Sequence, residues 1–385
     1  MNRDYYLTTL KSLFRNHACV ALLGPRQCGK TTLAQAYRNL QPNFPKENYF
    51  DLEDPVSLER LQNPKIALQT LKGLIIIDEI QRRPELFTLL RVLIDQKIKG
   101  QKFLLLGSAS QELIQQSSES LAGRIAYLEI TPFLYYENKE LSLSKLWLRG
   151  GFPRSYLARS LDASKEWRDF YIQTFLEQDI PNLGIRIPAN TLRKFWMMIA
   201  HYHGNIMNFS ELGRAFGISD TSVKRYLDIL VNTFMVRELQ PWQENLKKRQ
   251  VKAPKVYVRD SGILHSLLRI DTKSSLETNP KIGASWEGFA IEQIIQALHA
   301  KPHDCYFWST HNIAELDLLL FVRNKRLGFE FKYNDAPKLT NSMRTAMTDL
   351  KLDKLTVIYP GNIKYELAEN ISVCGLEEFI NSLPN

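Results

Sequence analysis

Cysteine is scarce in this 385-residue chain: the four thiols (Cys19, Cys28, Cys305, Cys374) form no CxxC pair and no metal-ligand spacing. A disulfide framework and a zinc knuckle are therefore not expected, and a reducing cytoplasm is the expected compartment. No apolar run reaches membrane-spanning length. The longest, such as LIIID and LDLLLFV, are strand-sized, so no membrane partner is expected. The opening MNRDYYLTTLKSLF has polar and acidic residues where a secretory leader needs an apolar centre. Excess negative charge is also missing. The formal charge of +9 favours acidic partners such as nucleic acid. Hydrophobic and charged fractions of 44% and 24% are those of a globular chain, and its length calls for more than one core.

Against those absences stands GPRQCGKT, Gly24 to Thr31, which fits GxxxxGK[ST]. A short apolar run, Cys19–Leu23, precedes it as a buried strand, and TTLAQAYRNL follows as a helix. Strand, glycine loop and helix make a phosphate cradle. Gly24 and Gly29 let the backbone curl, and the N–H groups of Arg26, Gln27, Cys28, Gly29 and Thr32 surround an anion at a helix N-terminus, with Pro25 fixing the backbone that leads into them. Lys30 brings charge to the β- and γ-phosphates, and the Thr31 hydroxyl is a magnesium ligand. LIIIDE, apolar on both faces, reads as a parallel strand ending in two carboxylates. Asp78 is expected to hold the Mg²⁺ of ATP through water, and Glu79 to polarise the attacking water. A third apolar strand, FLLLGS, ends in Ser108, placed to sense the γ-phosphate.

GPRQCGKTTL, YFDLEDP, LIIIDEIQRRPELF, LLLGSAS and SLAGR together resemble the AAA_14 branch of P-loop ATPases, commonly joined to a DUF4143 region. The resemblance implies an α/β fold: a P-loop core with a parallel sheet of order 5-1-4-3-2, then a helical lid, a winged helix, and an α/β restriction-endonuclease-like C-terminal domain. It makes Arg124 a candidate arginine finger or sensor. Action on a neighbouring subunit's nucleotide would require a homo-oligomer, and action within its own chain would not. Gly150–Arg154 (GGFPR) resembles an element that closes over nucleotide. Glu177-Gln178-Asp179-Ile180 departs from the Arg-Asp-Ile often found after the lid helix.

The expected domains are 1–135, the ATPase core; 136–187, the lid; 188–258, the winged helix; and 259–385, the nuclease-like domain. In the third, FSELGRAFGISDTSVKRYLDILVNTF reads as helix-turn-helix, with Ser210 capping the first helix, Gly217 ending it and Ser219 or Asp220 capping the second. The second helix would present Thr221, Ser222, Lys224 and Arg225 to DNA. The basic segment with Lys247, Lys248, Arg249, Lys252, Lys255 and Arg259 would form a phosphate-contacting wing. Nothing in the sequence reads a 2′-hydroxyl, so RNA stands beside DNA as a partner.

In the last domain the amphipathic run WEGFAIEQIIQAL precedes the hairpin ELDLLLFVRNKRLGFEFK. With the turn centred between Asn324 and Lys325, Asp317 faces Lys332 and Glu330 faces Leu319, all three charges on one side. A helix Glu, a strand Asp and Glu-x-Lys are similar to the PD-(D/E)xK nuclease core. The resemblance implies a second Mg²⁺ between Glu287, Asp317 and Glu330, with Lys332 orienting the attacking water. Glu292, about 140° further round the helix, is the weaker ligand. The expected function is ATP hydrolysis coupled to DNA recognition and metal-dependent cleavage; the alternative is an ATP-gated protein-binding switch with an inactive nuclease-like domain.

Overall fold

The computed structural model describes all residues except 1–2, 42–43, 97–99, 109–119, 245–250, 311–313 and 384–385. The chain divides into two compact units: residues 1–132 with 232–234, and residues 133–231 with 235–385. Among the described residues no helix is long and apolar enough to cross a membrane.

The first unit is built on five parallel strands: β1 (Cys19–Leu23), β2 (Tyr49–Asp51), β3 (Leu74–Asp78), β4 (Lys102–Gly107) and β5 (Ile125–Glu129). Their order is β2-β3-β4-β1-β5, the order the resemblance implies. β1 and β3 are buried at every position, which is why their sequences are continuous apolar runs rather than alternations: helices cover both faces. Cys19, Ala21, Phe50, Ile75, Ile77, Leu90, Phe103 and Leu105 close one core, each large side chain contributing roughly 1.5–3 kcal/mol on burial. Because β1, β3 and β4 are parallel, their C-terminal ends meet at one edge. Gly24, Asp78 and Ser108 follow or close those ends. A crevice for a ligand arises there from topology.

The second unit holds a nine-stranded sheet of β6 (Asn205–Ile206), β7 (Val236–Pro241), β8 (Lys255–Val258), β9 (Cys305–Ser309), β10 (Glu315–Val322), β11 (Lys325–Phe331), β12 (Lys354–Tyr359), β13 (Tyr365–Ala368) and β14 (Ile371–Gly375). Its order is β13-β14-β12-β11-β10-β9-β7-β8-β6. No break falls at the expected 258/259 join, since β7 pairs with β8 on one side and with β9 on the other. Helix Ile282–Ala297 lies against this sheet through Phe289, Ile291, Ile294 and Ile295. The segment Phe175–Asp179, where the sequence departs from its expected pattern, is a π-helical turn. Gly150–Arg154 belongs to this unit. Asp260 caps helix Ser261–Leu267 by accepting from Ile263 N at 2.9 Å, and it also accepts the Gly151 N–H at 2.8 Å.

Register in the hairpin departs from expectation by two residues. Leu318 pairs with Phe329, Leu319 with Gly328 and Val322 with Lys325. The turn therefore centres on Arg323 and Asn324, both left-handed at φ 51° and 62°. A two-residue loop of this hand matches strand twist, and asparagine tolerates the conformation. Side chains alternate with period two, so a two-residue shift leaves every residue on its expected face. Asp317 lies in line with Glu330 instead of Lys332, and the three charges still share one side.

Candidate functional site

The loop Gly24–Thr31 has the curl its glycines suggest. A Cβ on Gly24 would stand 2.1 Å from the Ile130 carbonyl oxygen, so no side chain fits there. Gly29 adopts φ 102° as the N-cap of helix Lys30–Asn39, aiming the first turn's free N–H groups into the loop. Lys30 is buried, and its ammonium donates to the carbonyls of Gly24 and Pro25 at 2.9 Å each. Thr31 Oγ1 donates to Asp78 Oδ2 at 2.8 Å. Cys28 is no nucleophile: its thiol is buried, points at the Ile130 carbonyl at 3.4 Å, and is pushed up by burial. Arg26 pairs with Glu53 at 3.3 Å. Gln27 adopts φ 63° at the exposed tip, and Thr32 is exposed on the first helical turn.

Asp78 and Glu79 both leave β3 into this edge. Burial raises the carboxyl pKa of each, and hydrogen bonds to Thr31 and Tyr49 counter it at Asp78. Glu79 sits at φ 55°, an uncommon conformation for a glutamate. Two partners escaped the sequence reading. Tyr49, at the start of β2, donates to Asp78 Oδ2 at 3.1 Å. Gln81 Nε2 bonds the Glu79 carboxylate and reaches Ser108 Oγ at 3.2 Å, while its own Oε1 is buried without a partner. It thus joins the strand-end glutamate to the strand-end serine. The pattern IDEIQ carried the signal, but nothing local says which way a glutamine points. Gln81→Ala is expected to retain nucleotide affinity within about threefold and to slow turnover roughly tenfold, because a glutamate free to rotate spends less time aligned on water. Steady-state turnover beside equilibrium titration with a fluorescent ATP analogue checks this, and unchanged turnover would remove Gln81 from the site.

Arg3, also unforeseen, donates to Cys28 O at 3.1 Å and Thr131 O at 2.8 Å and lies 4.5 Å over the Tyr6 ring. It braces the loop from behind. Arg124 is brought to a different neighbour from the one expected. Its guanidinium makes a two-pronged pair with Asp95 at 2.7 and 3.0 Å, so it must leave that carboxylate before it can meet a phosphate.

A magnesium ion of bound ATP fits these residues: Thr31 and Asp78 are already in register as a hydroxyl–carboxylate pair, the hard oxygen donors that ion takes.

The second unit gathers the other expected residues, with additions. Asp317 Oδ2 accepts the Phe331 N–H at 3.1 Å, and Glu330 Oε1 accepts from Lys332 Nζ at 2.6 Å. Glu287, on helix Ile282–Ala297, accepts from Tyr257 OH at 2.6 Å. Burial pushes Glu287 up to about 7 and Glu330 up to about 8, with Asp317's charge adding to both. Lys255, expected in a solvent-facing wing, is 3% exposed. Its ammonium lies 3.4 Å from Asp317 Oδ1 and 3.6 Å from Glu287 Oε1, and also pairs with Glu315. Burial works against that charge, but the carboxylates outweigh it and hold the group well above its ordinary range. The expected magnesium site at Glu287, Asp317 and Glu330 thus meets an arrangement already neutralised by lysines. Among the described residues no three His, Cys, Asp or Glu side chains converge into a set that could hold a metal ion.

Arg259, also assigned to the wing, instead joins Arg237 in clamping Glu292. Glu292 is a structural ion-pair residue. Lys247, Lys248 and Arg249 lie outside the described residues. In the helix pair Phe209–Phe216 and Asp220–Asn232, Leu212, Val223, Leu227 and Leu230 are buried and Phe216 is half-buried. The first cap is Asn208, which accepts from Glu211 N at 3.1 Å. Ser210 instead bonds Asp220 at 2.6 Å. Asn208, directly before the helix and two residues before Ser210, reaches the N3 amide, so it takes the cap. Gly217 ends the first helix at φ 65°, and Ser219 accepts from Ser222 N. Thr221, Lys224 and Arg225 are exposed and Ser222 is half-buried.

Residues 16–138 match the family model of an AAA domain (AAA_14), residues 140–274 a domain of unknown function (DUF8612), and residues 282–379 a further domain of unknown function (DUF4143). Uncharacterized proteins of Mycobacterium tuberculosis and Mycobacterium bovis are each 45% identical over 363 residues, covering 94% of this chain and 81% of theirs. Among solved structures, the Walker-type ATPase PABY2304 of Pyrococcus abyssi is similar at 17% identity and TM-score 0.49, over 69% of this chain and 95% of that one. A RuvB variant of Thermotoga maritima is similar at 19% identity and TM-score 0.29, over 61% and 86%.

Proposed function

Because this chain belongs to the AAA_14–DUF4143 family of P-loop ATPases, we propose that it is an ATP-hydrolysing switch whose nucleotide state governs nucleic-acid contact by its second unit. The observation that carries the reading is the pair Thr31–Asp78 beside Lys30 and Glu79 at the edge of a parallel sheet. Phosphates entering the loop take over Lys30's ammonium from the Gly24 and Pro25 carbonyls, which bear only partial negative charge. Magnesium, when bound with ATP, supplies charge neutralisation at the β- and γ-phosphates. Glu79 orients water in line and accepts its proton; its raised pKa makes it a better base than an exposed carboxylate. Ser108 and Gln81 report whether the γ-phosphate is present.

DNA contact is supported by exposed Thr221, Lys224 and Arg225 on one helix and by the chain's net charge of +9. Metal-dependent cleavage is left out, because Lys255 stands among the carboxylates that a divalent ion would require. The test is fluorescence anisotropy of labelled duplex DNA with ADP and with a slowly hydrolysed ATP analogue, run beside ATPase turnover. Wild type is expected to hydrolyse ATP and to change DNA affinity between the two nucleotides. Lys30→Ala is expected to lose turnover and the nucleotide effect. Lys224→Ala with Arg225→Ala is expected to weaken DNA binding several-fold and to flatten its salt dependence. Turnover without DNA binding in either state would favour the protein-binding switch.

A further inference from the structure

We propose that Lys255 is the resident cation of the carboxylate cluster in the second unit, filling with its ammonium the place a divalent ion would need and closing that site to metal. The proposal goes beyond the ATP reading and does not depend on it.

Four observations carry it. First, the lysine cannot retreat. Its backbone is in β8, paired to Leu239 of β7 on one side and to Ile206 of β6 on the other, and its side chain is 4% exposed. A surface lysine would swing into water when a better cation arrived; this one is buried along its length. Second, its ammonium meets carboxylates from two elements, Glu287 of helix Ile282–Ala297 at 3.6 Å and Asp317 of β10 at 3.4 Å, together with Glu315 of β10. The Phe307 ring lies 5.6 Å away, an aromatic face that suits a cation.

Third, most of the remaining oxygen valence is in use. Tyr257 OH holds Glu287, the Phe331 N–H holds Asp317 Oδ2, and Lys332 holds Glu330 Oε1. Of the cluster's buried oxygens, Glu330 Oε2 is without a partner. Hard divalent ions take six or more oxygens. One orphan oxygen, on the carboxylate that Lys332 already holds, falls short of that set, and an incoming ion would be repelled by the ammonium groups of Lys255 and Lys332. Fourth, the arrangement explains why the buried acids Glu287, Asp317 and Glu330 are tolerated together. A buried carboxylate needs a partner, and the lysines satisfy that need without any ligand. The cluster then serves as a clamp joining helix Ile282–Ala297 to β8 and β10.

The test is Mn²⁺ titration of the full chain without nucleotide, followed by electron paramagnetic resonance of the free ion. Wild type and Asp317→Asn are expected to give superimposable curves, because the cluster takes no metal. Lys255→Met, which keeps the apolar stem and removes the charge, is expected to gain a site at least tenfold tighter than any in wild type. Adding Asp317→Asn to Lys255→Met should abolish it. Wild-type Mn²⁺ binding that Asp317→Asn removes would overturn the proposal, and so would a folded Lys255→Met chain without the added site. Should Lys255→Met fail to fold, the comparison of wild type with Asp317→Asn still decides the matter. Loss of ATP turnover in Lys30→Ala leaves all of these curves unchanged, so failure of the ATP reading and failure of this one are distinguishable.

Discussion

Glu79→Gln is expected to bind ATP and hold it, with turnover reduced by about 10²–10⁴-fold, the span typical for loss of a general base. Glutamine keeps the length of the side chain, and its carbonyl oxygen still accepts from Gln81, so the left-handed turn after β3 and the bond to Ser108's neighbour are preserved. What disappears is the ability to take a proton from water. Affinity should stay within about threefold, because Lys30, the loop N–H groups and the Thr31–Asp78 pair are untouched. Single-turnover phosphate release measured beside equilibrium nucleotide binding separates the two quantities. Hydrolysis at the wild-type rate would take Glu79 out of the reaction. A parallel loss of binding would mean that its role is to hold the crevice together.

The largest expected stability effect lies in the second unit, at Glu292→Ala. Glu292 is clamped by Arg237, whose second nitrogen reaches Oε2 at 3.0 Å, and by Arg259 at 3.2 and 3.3 Å. All three side chains are largely buried. Removing the acid takes from two buried guanidinium groups the carboxylate they share, a loss of about 3–5 kcal/mol. The same site predicts an acid limb. Burial works to raise the Glu292 carboxyl pKa, but the two arginines outweigh it and hold it down to about 2. A carboxyl whose folded value lies below its unfolded value of roughly 4.3 contributes stability that is complete above that unfolded value. The contribution is lost as pH falls toward 2, and amounts to about 3 kcal/mol at about 1.4 kcal/mol per unit. In urea titrations the gap between wild type and Glu292→Ala should narrow from neutral pH to pH 3 by about half of that contribution. Equal stability of the two at neutral pH would show that water reaches the arginines.

Two residues in the same basic stretch show where sequence reasoning stops. Lys255 and Arg259 read as members of a solvated charge run, because nearby residues supply mostly other cations. In the fold, β8 carries Lys255 into the sheet and sets Arg259 just past its end, and each meets acids far along the chain: Lys255 finds Glu287, Glu315 and Asp317, and Arg259 finds Glu292. A charge run says nothing about which members face inward once the strand pairs. The hairpin failed differently. Its turn was placed one residue too late because Asn324-Lys325 and Arg323-Asn324 both supply an asparagine, and the choice depends on strand twist. Parity survived, so the face assignment survived with it.

By itself the sequence determined the phosphate loop, the strands that flank it, and the carboxylates at their ends. Those features are local: glycine conformations, apolar runs and a helix start lie within a few residues of one another, and a parallel sheet brings their ends to one edge in order β2-β3-β4-β1-β5. Tertiary structure alone decided which charges are neutralised and by whom. Gln81 on Ser108, Tyr49 on Asp78, Arg124 on Asp95 and Lys255 among three acids are pairings across sequence distance. Their energies come from burial and orientation, and neither exists until the chain has folded.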